Sequence, residues 1–199
     1  MNRIRSTITI SAPTADALAV PRGLYDVVAN CGSVFVGTSH DTPAFAVDTL
    51  AQWWLCEGRQ RYPQAGEILI LADGGGSNGW RCRAWKKALQ DRFCNPFGLT
   101  VTVSHYPPGT SKWNPIEHRL FSQISRNWAG QPLTDLDTML NFIRTTKTET
   151  GLTVTAYLSP GDYDTGIKIS KAQMRELNLL KHDTLGQWNY SLRPNLNVN

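Results

Sequence analysis

The chain has 199 residues, of which 41% are hydrophobic and 18% are charged, and its net charge is +4. A chain of this length can bury a substantial core, the composition is typical of a globular protein, and no apolar run approaches the ~20 residues of a membrane-spanning helix. The mild positive charge is compatible with a nucleic-acid partner but does not require one.

The first elements predicted along the chain are a hairpin and a helix. Residues 1 to about 20 show weak patterning, apart from the strand-like "STITI". The β-branched and aromatic runs "LYDVVAN" and "SVFVGTS" flank the turn-like "NCGS" and predict an antiparallel hairpin. A helix capped by Asp41 or Thr42 is predicted next, with Pro43 at its first position. Its recurring positions are Phe45, Thr49, Trp53 and Cys56.

A strand, a helix and a second strand are predicted in the middle of the chain. The wholly apolar "EILILA" is typical of a strand that is buried on both faces of a sheet. The run "GWRCRAWKKALQDRF" predicts a helix with Trp85, Leu89 and Phe93 inside. Its basic residues are expected mainly outside, on a solvated face: Arg81, Arg83, Lys86 and Lys87. The run "GLTVTVSHYPP" predicts a strand that ends at the prolines.

Two helices and a tail complete the series. "IEHRLFSQISRNWAG" predicts a helix with one apolar stripe of Ile116, Leu120, Ile124 and Trp128. "TDLDTMLNFIRTTKTET" predicts another helix, capped by Thr134 or Asp135. The tail contains the strand-like "LTVTAYL", a short helix near residues 171–179, and the closing "HDTLGQWNYSL". This order predicts an α/β fold with one mixed sheet.

The N-terminus and the cysteines indicate a cytoplasmic protein. Polar residues, Pro13 and Asp16 interrupt the apolar core that an export signal needs. The four cysteines form no C-x-x-C pair, so neither a zinc site nor a disulfide framework is indicated. We expect reduced thiols at Cys31, Cys56, Cys82 and Cys94.

The loop "LADGGGSNGW" is the first candidate site. Asp73 stands where an apolar strand ends, and ligands of open α/β sheets gather at such ends. Glycines 74 to 76 allow positive φ and keep side chains away from the carboxylate. The phosphate-loop pattern G-x-x-x-x-G-K-[ST] is not met, because Trp80 and Arg81 follow Gly79. Two interpretations of this loop remain open: a plain turn, and a loop that carries a metal-binding carboxylate.

Glu117 is the candidate second acid. It opens a helix after "SHYPPGTSKWNP", where a carboxylate is also favoured by the helix N-terminus. Its position near the apolar stripe predicts that it faces inward or into a cleft. Lys112, His118 and Arg119 surround it with positive charge. Carboxylates that leave room for water and substrate phosphates are typical of Mg²⁺ sites.

Four segments, "ADGGGSNG", "PPGTSKWNPIEHRLFS", "ISRNWAGQPL" and "HDTLGQWNYSLRP", resemble the DDE transposases of bacterial insertion sequences, specifically the ISAzo family. The similarity runs from about Val20 to Pro194. It implies a ribonuclease-H-like mixed sheet flanked by helices over residues 21–199, with a C-terminal extension and an unrelated or poorly structured segment over residues 1–20. It also implies DNA cleavage with two Mg²⁺ or Mn²⁺ ions, followed by strand transfer, with Asp73 and Glu117 as catalytic metal ligands.

The first catalytic acid of the family is not found in its expected place. The resemblance implies an acid on a first strand before the hairpin, where this chain offers only Asp16. The family's first-strand stretch ending in Val-Asp-Thr and the helix-turn-helix region ahead of it are expected to be missing. Asp26 lies in the hairpin, Asp41 is read as a helix cap, and Asp48 as a solvated helix residue. We therefore expect an incomplete catalytic region.

The remaining polar residues are read for DNA contacts. Lys112 and Arg119 are the best candidates for phosphate contacts, because charged contacts to the backbone supply much of the affinity for DNA. His118 can contact a phosphate, and Asn78 can position a water or a phosphate. His105 is read as a hydrogen-bonded structural residue. Four tryptophans are read as core residues: Trp53, Trp54, Trp85 and Trp128.

Three functions follow from this reading. The first is an incomplete transposase catalytic region, acting in the bacterial cytoplasm on transposon ends and target DNA. The second is a catalytically dead remnant that binds DNA or dimerises, with itself or with a full-length transposase. The third is a ribonuclease-H-like nuclease that cuts without strand transfer, which the string "KWNPIEH" argues against.

Overall fold

The computed structural model describes residues 8–9, 18–107 and 109–195. The chain divides into two compact units. Unit 1 comprises Met1–Asp41 and Pro115–Tyr163, and unit 2 comprises Thr42–Asn114 and Asp164–Asn199. Most of the "STITI" run and Asp16 lie outside the described residues. Across the described part of the chain, no helix is both long and apolar enough to cross a bilayer.

The elements follow the predicted order closely. The strands are β1 (Ile8–Thr9), β2 (Leu18–Asp26), β3 (Cys31–Gly37), β4 (Glu67–Ala72), β5 (Thr100–His105), β6 (Thr153–Ser159), β7 (Leu179–Lys181) and β8 (Asn189–Leu192). The α-helices are α1 (Pro43–Trp53), α2 (Arg59–Arg61), α3 (Arg83–Leu89), α4 (Asn95–Phe97), α5 (Ser122–Asn127), α6 (Leu136–Arg144) and α7 (Lys171–Arg175). Single π-helical turns, Trp54–Gly58, Gln90–Cys94 and Glu117–Phe121, adjoin α1, α3 and α5.

The predicted α/β class is confirmed, but the strands form two mixed sheets instead of one. In unit 1 the order is β1-β2-β3-β6, with β2 antiparallel and β6 parallel to β3. In unit 2 the order is β4-β5-β8-β7, with β4 parallel and β8 antiparallel to β5. The hairpin and the middle strands therefore belong to different sheets, which strand patterning alone does not reveal.

The β2-β3 hairpin is confirmed, but its turn lies earlier than "NCGS". Residues 27–30 form the turn, and the side chain of Val28 is 88% exposed. Oδ1 of Asp26 accepts hydrogen bonds from the backbone N–H groups of Val28 and Ala29, at 3.1 and 3.0 Å. Asn30 adopts a φ of 53°, a left-handed conformation that asparagine tolerates. Aspartate and asparagine turn chemistry thus overrides the β propensity of the two valines.

The core of unit 1 lies between its sheet and the helices α5 and α6. Leu120 and Ile124 are buried, and Ile116 and Trp128 pack partly buried against them, which confirms the predicted stripe. Asp135 caps α6, because its Oδ1 accepts from the N–H of Thr138 at 2.7 Å.

Two glycines let the helix that follows Glu117 approach the hairpin closely. A Cβ at Gly32 would clash with a methyl group of Leu120, and one at Gly23 would lie 2.6 Å from the ring of Phe121. Side chains at these two positions would therefore push the helix away from the sheet.

In unit 2, one face of the sheet is largely buried and the opposite face is more exposed, most of all along β4. Val101, Val103, His105, Tyr190 and Leu192 are buried. The prediction that "EILILA" is buried on both faces is wrong. β4 is the edge strand of its sheet, and Leu69 and Leu71 are 60% and 43% exposed. An apolar run indicates a strand, but its position in the sheet decides how many of its faces are covered.

The helices of unit 2 confirm most of their predicted features. Thr42 caps α1, since its hydroxyl accepts from the N–H of Phe45 at 3.2 Å. Trp54 is buried but Cys56 is exposed, because the π-helical turn at this point shifts the helical spacing. In the second helical segment the predicted inward residues are all buried: Trp85, Leu89 and Phe93.

Candidate functional site

Asp73 lies directly after β4, and His105 ends the neighbouring strand β5. The two strands are parallel, so their carboxyl ends meet at one edge of the sheet. Nδ1 of His105 is 3.0 Å from the backbone oxygen of Asp73. The N–H of Tyr106 also donates to the backbone oxygen of Ala72, at 2.8 Å. The backbone that carries the Asp73 carboxylate is therefore held from the adjacent strand.

A chain of buried hydrogen bonds supports His105. Nε1 of Trp85 donates to the hydroxyl of Tyr190 at 3.1 Å, and this hydroxyl is 3.2 Å from Nε2 of His105. The backbone oxygen of Asp73 can only accept, so Nδ1 of His105 carries the proton and Nε2 accepts from Tyr190. Trp85, His105 and Tyr190 are all buried. The interpretation of His105 as a hydrogen-bonded structural residue is confirmed.

Burial keeps the imidazole of His105 and the phenol of Tyr190 in their neutral forms. Desolvation lowers the pKa of His105, and the nearby positive charge of Lys86 adds to that effect. The hydrogen bond to the Asp73 backbone and the Asp73 charge oppose the shift of the His105 pKa without reversing it. Desolvation also raises the pKa of the Tyr190 hydroxyl. A neutral imidazole and a neutral phenol match the hydrogen-bond directions assigned above.

Lys86 is an exception to the predicted solvated basic face. Its ammonium group donates to the backbone oxygen of Trp80 at 2.8 Å and lies 4.7 Å from the ring centroid of Tyr190. Burial is the main reason that its pKa is lowered. By contrast, Arg81 and Arg83 are exposed, as predicted.

The glycine loop folds compactly after Asp73. Gly76 has a φ of 78°, which favours glycine, and its backbone oxygen accepts from the N–H of Gly79 at 3.1 Å. A Cβ at Gly79 would lie 3.2 Å from the backbone of Gly75. The loop borders an open surface pocket, whose lining is Gly74, Gly75, Gly76, Gly79, Trp80, Arg81 and Cys82. Asn78 is half-buried in the same loop.

Asn114 is a contact of Asp73 that the sequence reasoning missed. Its side-chain Nδ2 donates to Oδ1 of Asp73 at 3.1 Å, and the residue is buried. The signal was available, because Asn114 lies within the motif "KWNPIEH" on which the family resemblance depends. Asp73 is therefore oriented at its backbone by His105 and at its carboxylate by Asn114.

A basic and aromatic pair lies beside Asn114. Lys112 is exposed, and its ammonium group is 5.4 Å from the ring centroid of Trp113. Trp113 is 68% exposed, unlike Trp54 and Trp85, which are buried in agreement with the prediction. An exposed aromatic ring next to a cation is a suitable surface for nucleotide bases and phosphates. The sequence reasoning assigned no role to Trp113.

Glu117, His118 and Arg119 belong to unit 1 and occupy the π-helical turn Glu117–Phe121. All three residues are exposed. The prediction that Glu117 faces inward or into a cleft is therefore wrong. Leu120 takes the buried position of this turn, and Ile116 packs partly buried against the same core, so Glu117 falls outside the apolar stripe. Asp73, His105, Asn78 and Lys112 belong to unit 2.

Three acids considered as the first catalytic residue have other partners. Asp26 accepts from the backbone of the hairpin turn. Asp41 lies 2.9 Å from the guanidinium of Arg22, and of the two predicted cap residues Thr42 is the one that caps α1. Asp48 lies 2.9 Å from the guanidinium of Arg92. Asp16 lies outside the described residues.

Comparison with protein families matches residues 9–194 to the family described as the Rhodopirellula transposase DDE domain. The match covers most of the 199 residues and confirms the resemblance to DDE transposases. Searches of curated proteins and of solved structures gave no significant match.

Proposed function

The chain belongs to this family of transposase DDE domains, and on that premise we propose that it is a transposase catalytic region. In this proposal it binds DNA but needs a further acidic residue to cut it. Asp73 and Glu117 are its two catalytic acids in this proposal. The ribonuclease-H-like topology, and a domain boundary near residue 20, are part of the same proposal. Family membership implies a DNA partner and a general use of divalent metal ions.

One observation supports the proposal that the catalytic site lacks its first acid. Asp26, Asp41 and Asp48 each hold a structural contact, to a turn backbone, to Arg22 and to Arg92. Two of these carboxylates pair with a guanidinium and the third shapes a turn, so a structural role accounts for each of them. None of the three therefore fits the role of the first catalytic acid.

The described residues do not fit a two-ion site for Mg²⁺ or Mn²⁺. Within the described ranges, no group of three or more His, Cys, Asp or Glu side chains is arranged to hold a metal ion. We therefore assign no catalytic step to a bound ion, and a complete site would require an acid from outside this set.

DNA binding in this proposal depends on exposed cations of both units. Lys112 and Arg119 would contact phosphates, and the exposed ring of Trp113 would stack against bases. His118 and Asn78 would add phosphate or water contacts. These contacts do not require a catalytic metal ion, so binding and cleavage are separable.

A nicking and strand-joining assay tests the proposal. The 199-residue chain is incubated with supercoiled DNA and Mn²⁺, beside Asp73→Ala and Glu117→Ala, and its DNA affinity is measured over a salt series. We expect DNA binding and no cleavage by the parent chain. Lys112→Ala should lower the slope of log affinity against log salt by about 1, whereas the exposed control Lys171→Ala should leave it unchanged.

Other results would contradict the proposal in distinguishable ways. Cleavage that both Asp73→Ala and Glu117→Ala abolish would mean that this chain supplies the third acid itself. Nicked DNA without joined products would favour the nuclease. A parent chain that neither binds nor cuts DNA would refute the DNA-binding role.

A further inference from the structure

The glycine loop that follows Asp73 borders a surface pocket, which we name the glycine-loop pocket. Its volume is about 480 Å³, within the range of about 300–1,000 Å³ that small-molecule sites occupy. Glycines 74–76 and Gly79 form one part of its lining, and Trp80 and Arg81 form another. All of these residues belong to unit 2, so the pocket is a feature of that unit alone.

The glycine part of the pocket presents backbone without side chains. Gly76 has a φ of 78°, a conformation that other residues rarely adopt. A Cβ at Gly79 would lie 3.2 Å from the backbone of Gly75, so a side chain fits poorly there as well. Glycine is the residue that allows a ligand to approach the backbone closely. This part of the pocket therefore suits a flat ligand.

The ring of Trp80 is fixed in position at the pocket. It makes an edge-on contact with the ring of Trp188, with the two centroids 6.3 Å apart. Trp188 is itself tied to the sheet, because its backbone oxygen accepts from the N–H of His105 at 3.0 Å. The backbone oxygen of Trp80 accepts from the ammonium group of Lys86 at 2.8 Å. An aromatic side chain that is ordered before binding loses little conformational entropy when a ligand stacks on it.

The polar groups of Trp80 and Arg81 are available to a ligand. The guanidinium of Arg81 lies 4.4 Å from the ring centroid of Trp80. Among the described residues, neither this guanidinium nor the indole N–H of Trp80 makes a hydrogen bond or an ion pair. Arg83 and Arg92 of the same unit are already paired, with a backbone oxygen at 3.3 Å and with an aspartate at 2.9 Å. Arg81 can therefore bind an anion without giving up a hydrogen bond.

We infer that the glycine-loop pocket binds one unstacked base of a DNA strand, with the base against Trp80 and its phosphate paired with Arg81. The inference rests on the proposed DNA-binding function and deepens it. A base is flat and aromatic, so it suits a glycine surface beside an indole ring, and a phosphate suits a guanidinium. Because Gly74 follows Asp73 directly, the pocket holds the strand beside the proposed catalytic acid.

Two DNA duplexes that differ at one position test the binding of a single base. One carries an unpaired adenine, and the other carries an abasic sugar in its place. A fully paired duplex measures general DNA binding. Stacking of a base on an aromatic side chain changes affinity about 5- to 150-fold. We therefore expect the full chain to bind the duplex with the unpaired adenine at least about 5-fold more tightly than the abasic duplex.

Substitutions at the pocket locate this preference. Trp80→Ala should abolish it, whereas Trp80→Phe should retain most of it, because phenylalanine keeps an aromatic ring. Arg81→Ala should weaken binding of the duplex with the unpaired adenine alone, since without a base the nucleotide is not held beside Arg81. Arg83→Ala is the matched control, because Arg83 is an exposed arginine that does not line the pocket. It should leave the preference unchanged.

Photochemical cross-linking identifies the residue that stacks on the base. When 5-iodouracil replaces the unpaired adenine, irradiation joins it to an aromatic side chain in contact with its ring. Mass spectrometry of the digested complex should find the cross-link on the peptide that contains Trp80. Trp113 is the internal control, since it is an exposed tryptophan of the same unit that does not line the pocket.

Three results would overturn the inference: equal affinity for the duplexes with the unpaired adenine and with the abasic sugar, a preference that survives Trp80→Ala, or a cross-link on Trp113 in place of Trp80. If the chain binds the paired duplex and shows no preference, this inference fails and the proposed function stands. If the chain binds none of the three duplexes, the proposed DNA-binding function fails together with it.

Discussion

The hydrogen-bond chain behind Asp73 makes Tyr190 a sensitive position. Tyr190→Phe keeps the ring, and with it the contact to Lys86, but removes the hydroxyl that serves Nε1 of Trp85 and Nε2 of His105. Both partners are at most 5% exposed, so water cannot readily replace the lost hydroxyl. Each unsatisfied buried group costs about 1–3 kcal/mol. Because the hydroxyl itself no longer has to be desolvated, we expect a net loss of about 2–4 kcal/mol in the free energy of unfolding.

Urea unfolding followed by circular dichroism measures this loss, and Tyr25→Phe is the control. The Tyr25 hydroxyl donates to Oδ1 of Asn30 at 2.8 Å, but both residues are only half-buried, so water can replace the contact. The control should lose about 0.5–1.5 kcal/mol. Nitrogen chemical shifts of the His105 ring should show the proton on Nδ1. If Tyr190→Phe lowers the free energy of unfolding no more than Tyr25→Phe does, or if the proton is on Nε2, the proposed hydrogen bonds from Trp85 through Tyr190 to His105 are wrong.

Two further predictions concern pH and packing. Burial lowers the pKa of His105 below its ordinary 6.5, so the unfolded chain binds more protons than the folded chain. The free energy of unfolding should therefore fall as the pH drops below 6.5, until the pKa of His105 in the folded protein is reached. Unfolding measured against pH should lose this part of the dependence in His105→Gln, and an unchanged slope would contradict it. Gly32→Ala should cost about 1–3 kcal/mol, since its Cβ would clash with Leu120, whereas Gly66→Ala meets open space. Equal costs in thermal unfolding would argue against close packing at Gly32.

Local features were predictable because they depend on residues close together in the sequence. The cap of α1 at Thr42, the burial of Trp85, Leu89 and Phe93, and the stripe on the helix after Glu117 all follow from spacing within one element. The family resemblance was equally a property of the sequence, because "KWNPIEH" and "ADGGGSNG" are continuous strings.

Contacts between distant residues required the tertiary structure. The partners of Asp41 and Asp48 are Arg22 and Arg92, and neither pair could be chosen from the many possible cation and acid pairs along the chain. The exposure of Glu117 likewise follows from how its helix packs on the sheet, where Leu120 takes the buried position.

The sequence by itself determined that residues 67–72 form an apolar strand ending at an acid, and that this acid belongs to a transposase motif. Only the tertiary structure decided that this strand lies at a sheet edge with two exposed leucines, and that Trp85, His105 and Tyr190 support Asp73. The physical reason is that strand propensity is set by a few neighbouring residues, whereas strand order and burial are set by contacts among residues far apart in the chain.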